Sequence, residues 1–171
     1  MNMITNNEFL QSVLENAAWK KVSEDEALSM DMLEKYQDKL DWEAISDNNE
    51  IVWTIDGVKK FARRLDWSEF SCRCPDSFIS ETTLREFRDK WDWKKISDRD
   101  CVYNDWALLE AFADDIDWAT VITNWNIEKP EEFLKKFHER IPMGKLQDSR
   151  LWDALVEIRA KQLKVEIIGA K

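Results

Sequence analysis

The sequence contains little glycine and proline, three of each among 171 residues, which excludes a fold rich in tight turns and favours long stretches of helix. It has a single histidine, His138, and no glycine-rich phosphate loop, His-Glu zinc motif or nucleophile elbow. The usual groups for acid–base catalysis and phosphate binding are therefore scarce. The sequence predicts a protein that is not an enzyme and uses no cofactor. An enzyme with an unfamiliar acidic site is the least favoured alternative.

Disulfides, metal ligands and membrane segments are also scarce. Cys72, Cys74 and Cys101 are an odd number of cysteines, and no basic, apolar leader is recognisable at the N-terminus. This pattern is typical of free thiols in a reducing compartment and predicts a cytoplasmic protein. No second ligand pair stands at zinc spacing from Cys72 and Cys74, so no metal site is predicted. No apolar run approaches the roughly 20 residues of a membrane helix, so no membrane association is predicted.

Charge of one sign dominates. The chain carries 35 acidic and 25 basic residues, a net charge of -10, and residues 100–127 contain six acidic residues and no basic one. A negative field disfavours direct binding to nucleic acid or anionic lipid and favours a basic protein partner. The basic residues within 59–64 and 85–99 are interpreted as solvated helix faces with i,i+4 acidic partners.

The abundant residue is tryptophan, with ten copies, and an Asp-Trp pair recurs along the chain. With the Trp of the pair as position zero, four copies stand at Trp42, Trp67, Trp93 and Trp118, spaced 25, 26 and 25 residues apart. A weaker copy precedes them at Trp19, and another follows with Met143 at position zero. A fixed period of this length is typical of stacked helical repeats.

Apolar residues fill the positions nine, six and two before zero, a spacing that predicts one face of a helix of about three turns. At the position six before zero they are Val13, Tyr36, Phe61, Phe87, Phe112 and Phe137. The Asp before each Trp is interpreted as the N-cap of a second, short helix, on which Trp and the residue three later share the inner face. The alternative interpretation, that these aspartates are paired acids for catalysis, is disfavoured.

The predicted fold is therefore all-α: an α-solenoid-like array of about six units of 23–26 residues, each a helix, a corner and a short helix. We expect one helical-repeat domain over residues 1–171, with units centred on Trp19, Trp42, Trp67, Trp93, Trp118 and Met143. A capping helix is predicted at about 148–163, followed by a tail, 164–171, that forms a short strand or an unpaired end.

The stretch Phe87–Ser97, "FRDKWDWKKIS", resembles the tandem repeats with the pattern F-x-D-x-(L/V)-D-W-x-x-I-S that occur in uncharacterised bacterial and large-virus proteins. The stretches Tyr36–Ser46 and Phe61–Ser71 are close to it, whereas the copy at Phe112 has Ile122 in place of the serine. The resemblance covers most of residues 8–147. It implies a repeat architecture and no particular chemistry.

Two tryptophans lie off the repeat pattern, Trp106 and Trp125, both inside the segment without basic residues. They either cover irregular loops or form a patch that binds a basic partner, together with nearby acidic residues. The candidate partner-binding residues are Trp106, Trp125, Asp105, Glu110, Asp114 and Asp115. The sequence thus favours a protein–protein interaction module with an acidic aromatic flank. The alternative is a small acidic inhibitor, such as an immunity or anti-defence protein, that blocks the basic nucleic-acid site of a nuclease.

Overall fold

The computed structural model describes residues 3–124 and 126–169, and the regular secondary structure in that part of the chain is all helical, without strands, which confirms the all-α prediction. The helices are α1 (Met3–Asp25), α2 (Met30–Tyr36), α3 (Trp42–Asp47), α4 (Ile55–Phe61), α5 (Trp67–Arg73), α6 (Glu81–Glu86), α7 (Trp93–Ser97), α8 (Asp100–Tyr103), α9 (Trp106–Ala111), α10 (Trp118–Val121), α11 (Pro130–Phe137), α12 (Met143–Leu146) and α13 (Arg150–Gly169). A short 3-10 turn, Asp76–Phe78, precedes α6.

Contacts divide the chain into two compact bodies, residues 1–92 and 93–171, and each is described by itself. In the first body α3 packs against α1 and α5, and in the second α7 contacts α8 and α10 while α13 packs on α11. The expectation of one helical-repeat domain stays a prediction.

Side-chain caps start several of the short helices, and three of them are the aspartates that the sequence predicts. The Asp41 carboxylate accepts a hydrogen bond from the Ala44 N–H, and Asp66 and Asp117 cap α5 and α10 in the same way. Ser29, Thr54 and Ser80 cap α2, α4 and α6. Each cap satisfies N–H groups that a helix start leaves without a partner.

The first helix of each copy is shorter than the predicted three turns, since α2, α4, α6, α9 and α11 have six to eight residues. Each ends in a tight turn at the aromatic position. The Phe61 carbonyl, for example, accepts hydrogen bonds from the N–H groups of Arg64 (2.8 Å) and Leu65 (3.2 Å). Tyr36, Phe87, Phe112 and Phe137 form the same double acceptor. This turn tightens the helix end and forms the corner.

The indole ring at position zero packs on the aromatic ring that lies six before zero in the next copy. Five such pairs have centroid distances of 5.0–5.5 Å and tilts of 33–41°: Trp19–Tyr36, Trp42–Phe61, Trp67–Phe87, Trp93–Phe112 and Trp118–Phe137. Several indole N–H groups also donate to the carbonyl five residues earlier, as in Trp42 to Gln37 (2.8 Å). The tryptophan therefore joins its own corner to the following helix.

A serine four residues after zero forms a second link between successive copies. Ser46 Oγ donates to the Trp42 carbonyl (2.6 Å) and accepts from the Asp66 N–H of the next copy (2.9 Å). Ser23, Ser71 and Ser97 bridge in the same way to Asp41, Asp92 and Asp117. All four serines are buried. Each buried hydroxyl gives an acceptor to the N–H of the aspartate that precedes the next short helix.

The fifth copy lacks both halves of this bridge. Ile122 stands in the serine position, and Pro142, which has no N–H, stands where the next copy would carry Asp. The serine acceptor is therefore absent where the N–H donor is absent, so the loss of the serine leaves no N–H of Pro142 without a partner. The Ile122 carbonyl instead accepts from the Leu151 N–H at the start of α13 (3.1 Å).

Basic residues also connect neighbouring copies, so the interpretation of them as solvated residues with i,i+4 partners describes only part of their role. Arg64 pairs with Asp38 (2.7 Å) and lies 5.7 Å from the Trp42 ring centroid, and Lys60 pairs with Glu34 (2.5 Å). Arg85 does pair with Glu81 at i,i+4. Because these side chains are largely exposed, each ion pair contributes at most about 1 kcal/mol.

Both ends of the chain differ from the sequence prediction. No corner precedes Trp19, because α1 continues to Asp25. Ala18 stands where later copies have Asp, and alanine cannot cap a new helix but favours continuing the old one. At the C-terminus, the predicted break near residue 163 is wrong, since α13 extends to Gly169. Residues 164–168 contain neither Gly nor Pro, and extending a formed helix costs little.

Replacing Trp93 by Ala should lower the free energy of unfolding by about 3 kcal/mol, because it removes the ring that packs on Phe112 at 5.3 Å. Met143→Ala is the control, since Met143 occupies the same repeat position but is 60% exposed, and its loss should stay below about 1 kcal/mol. Urea unfolding followed by circular dichroism measures both. Equal losses would contradict the proposed role of the ring.

Ser46→Ala should lower the free energy of unfolding by about 1–3 kcal/mol, because the Asp66 N–H then loses its acceptor, the buried Ser46 hydroxyl. Ser12→Ala, at an exposed position of α1, should change it by less than about 0.5 kcal/mol. The same urea titration compares them, and an unchanged midpoint for Ser46→Ala would rule out the serine bridge as a stabilising link.

Candidate functional site

The candidate site is an open cleft in the second body, with a volume of about 600 Å³. Helices α8 and α9 form one side, and the segment before α11 forms the other. The lining residues are Asp100, Cys101, Asn104, Asp105, Trp106, Glu128 and Lys129. Three carboxylates and one ammonium give the cleft a net negative charge, and Trp106 supplies its aromatic surface.

Asn104, between α8 and α9, ties the two sides of the cleft together. Its Nδ2 donates to the Asn126 carbonyl (3.1 Å) and to Asp100 Oδ1 (3.0 Å), while its Oδ1 accepts from the Glu128 N–H (3.1 Å). One side chain therefore substitutes for backbone pairing in a segment that has no regular structure. This fixes the position of Glu128 relative to Asp100.

The segment reaches α11 through a strained residue. Lys129 has φ 49° and ψ 63°, the left-handed region that a non-glycine residue rarely adopts, and it is directly followed by Pro130 at the first turn of α11. Proline also disfavours helical backbone at the residue before it. A conformation of this kind costs of order 1–3 kcal/mol and recurs at binding sites. Here it directs the chain across the mouth of the cleft.

Trp106 is half-buried and held by the core of the second body. Its ring makes edge contacts with Phe133 (6.2 Å between centroids) and Phe137 (5.9 Å), and the Lys136 Nζ lies 5.9 Å from its centroid. The ring is therefore fixed in place while it also lines the cleft. A rigid aromatic side chain loses little conformational entropy when a partner binds.

Tyr103 supports the floor of the cleft from within the core. It is buried, and burial, followed by its hydrogen bond to Asp100 and the nearby negative charge, raises the pKa of Tyr103 above its usual value. The hydroxyl consequently stays protonated near neutral pH and can donate to the Asp100 carboxylate. This contact helps to orient the Asp100 carboxylate.

The structure brings only part of the predicted partner-binding set to the cleft. Asp105 and Trp106 line it, and Asp105 also caps α9 by accepting from the N–H groups of Ala107 and Leu108. Glu110 and Asp114 lie elsewhere and pair with Lys136 and Arg140, at 2.5 Å each. Asp115 is half-buried and is not among the lining residues. Trp125 lies outside the described residues. A binding role for all six stays a prediction.

Sequence reasoning missed Asp100, Asn104, Glu128 and Lys129. Asp100 and Asn104 are polar residues of the kind expected at any helix end, and Glu128 and Lys129 lie outside the segment without basic residues. Only the proline after Lys129 marks the start of a helix there. The sequence contains no signal that the Glu128 N–H contacts Asn104, which lies 24 residues earlier.

In the described part of the chain, no group of three or more His, Cys, Asp or Glu residues is arranged to hold a metal ion. The described helices also include none with the length and hydropathy needed to cross a membrane.

Comparison with protein-family models, with curated proteins and with solved structures found no match. The resemblance to the Asp-Trp repeat family therefore stays a prediction.

Asn104→Ala should increase amide hydrogen exchange at residues 126–129, because the Glu128 N–H and the Asn126 carbonyl lose their partner. Asn49→Ala, an exposed change in the other body, is the control and should leave exchange at residues 126–129 unchanged. Mass-spectrometric hydrogen exchange measures both. Unchanged exchange in Asn104→Ala would show that other contacts hold the segment.

Proposed function

We propose that the protein is a non-enzymatic protein–protein interaction module whose acidic aromatic cleft receives a lysine or arginine side chain from a basic partner. The observation that carries the proposal is the placement of Asp100, Asp105 and Glu128 around the half-buried Trp106 ring. Cations bind favourably to carboxylates and over the face of an indole ring, and tryptophan is enriched at the centres of interfaces.

The shape of the cleft supports a protein partner over a small metabolite. Its volume of about 600 Å³ falls in the range of ligand sites, but it is an open cleft. An open site exposes a bound small molecule to water, whereas a side chain projecting from a protein brings its own surface to cover the rim. The guanidinium group is favoured over ammonium, because it can pair bidentately with a carboxylate and stack on an aromatic ring.

Charge favours the same class of partner. The net charge of -10 speeds encounter with a basic protein and opposes nucleic acid. Lys129 is the only cation among the lining residues, and it leaves the cleft with an excess of negative charge. Binding should therefore weaken as salt screens these charges.

The double variant Asp100→Asn, Glu128→Gln should bind an arginine-rich peptide about tenfold more weakly than the unmodified chain, because two of the three cleft carboxylates become neutral. Glu43→Gln, Glu139→Gln is the matched control, with the same charge change at exposed positions away from the cleft. Fluorescence anisotropy of a labelled peptide at low and high salt measures the affinity. Equal loss in both double variants would mean that only net charge matters and would reject the cleft.

An acidic inhibitor of a nuclease is the second candidate, supported by the same negative charge. It requires that the chain abolish the activity of a basic nuclease at a stoichiometric ratio and that the Asp100→Asn, Glu128→Gln variant inhibit less well. A partner captured without loss of any nuclease activity favours the interaction module instead.

A further inference from the structure

The C-terminal helix α13 has two distinct apolar faces, and only one of them is used within the second body. Leu151 is 1% exposed, Leu155 and Ile158 are half-buried, and Gln162 Nε2 donates to Glu131 of α11 at 3.4 Å. This face packs on α11. It follows the spacing of four, three and four residues that marks one side of a helix.

A second stripe with the same spacing runs along another side of α13. Val156, Ala160, Leu163 and Ile167 are separated by four, three and four residues, which is the spacing of the a and d positions of a heptad. Val156, Leu163 and Ile167 are 48%, 41% and 65% exposed, and Ala160 is also exposed. The stripe is thus an apolar seam that faces solvent in the single chain.

The charges that flank the seam specify what can cover it. With Val156 and Leu163 at d and Ala160 and Ile167 at a, the e positions are Glu157 and Lys164, and the g positions are Arg159 and Glu166. Antiparallel helices bring e against e and g against g, whereas parallel helices bring g against e.

We propose that two copies of this chain associate through α13, with the two helices antiparallel about a twofold axis. In this register Val156 lies opposite Ile167 of the partner subunit, and Ala160 lies opposite Leu163 of the partner subunit. Glu157 then faces Lys164 of the partner subunit, and Arg159 faces Glu166 of the partner subunit. All four flanking pairs are of opposite charge, and the interface is self-complementary, as a twofold contact requires.

A parallel pairing is disfavoured by the same residues, because it would bring Arg159 against Lys164 of the partner subunit. The ion pair between Arg159 and Glu166 within one helix, at 3.3 Å, already places both side chains along the same flank.

The seam spans about three helical turns, so the buried area is at the low end for protein–protein interfaces and the dimer should be weak, with a dissociation constant of order 10 μM or above.

Charge variants of the full chain test the proposal by sedimentation velocity over a range of concentrations. Lys164→Glu should raise the dimer dissociation constant roughly tenfold, because both Glu157 pairs become repulsive. The double variant Glu157→Lys, Lys164→Glu should restore wild-type association, since it exchanges the two charges across the twofold axis. Restoration by this exchange is expected only for an antiparallel contact of α13 with itself.

Two controls separate this contact from other surfaces. Lys161→Glu makes the same charge change on α13 away from the seam and should leave the dissociation constant unchanged. Leu10→Asp alters the exposed apolar side of α1, where Phe9, Leu10, Val13 and Leu14 are 49–70% exposed, and should also leave it unchanged.

The proposal is overturned if the unmodified chain remains monomeric at the highest concentration reached. It is also overturned if Lys161→Glu weakens association as much as Lys164→Glu, if the double charge exchange fails to restore the dimer, or if Leu10→Asp abolishes it. None of these results depends on the acidic cleft, so these experiments test the dimer independently of the proposed binding of a basic partner.

Discussion

The contact between an indole ring and the aromatic ring of the following copy is the interaction on which the rest of the structure depends. Helices of four to eight residues are unstable in isolation, because the entropy of starting a helix is large compared with the few hydrogen bonds gained. The tryptophan at each corner brings a large apolar area to the junction of two such helices. Its partner ring lies 5.0–5.5 Å away in both bodies. This contact, together with buried residues such as Leu33 and Ile45, gives the short helices a surface to pack against.

The serine bridge fixes the position of successive copies relative to one another, which the ring contact alone does not. A ring–ring contact tolerates sliding, whereas a hydroxyl that donates to one backbone carbonyl and accepts from a backbone N–H in the next copy defines a position to within a few tenths of an ångström. At Ile122 and Pro142 both partners of the bridge are lost together, and since proline has no N–H, the missing serine removes an acceptor that is not needed there. There the Ile122 carbonyl accepts a hydrogen bond from the Leu151 N–H at the start of α13.

The candidate site lies where the repeated pattern is least regular. Around α8, α9 and the segment before α11, a side-chain amide replaces backbone pairing and Lys129 adopts a left-handed conformation. Departures of this kind from local preference are concentrated at functional sites, where the surrounding structure stabilises them. The nearby core is nevertheless rigid, since Trp106 is held against Phe133 and Phe137. The cleft thus combines a fixed aromatic surface with carboxylates on an irregular rim.

The sequence by itself determined the helical class, several helix starts and the buried side of most of the short helices, because caps and apolar spacing act over three or four residues. It was wrong for the first copy, where Val13 is 49% exposed on α1. It misplaced both ends of the chain, where Ala18 and residues 164–168 allow a helix to continue past the expected boundary. Only the tertiary structure decided which charges meet, as in Arg64 with Asp38, and which residues form the cleft. Asn104 and Glu128 are 24 residues apart, and no local preference of either residue specifies that their atoms come within 3.1 Å.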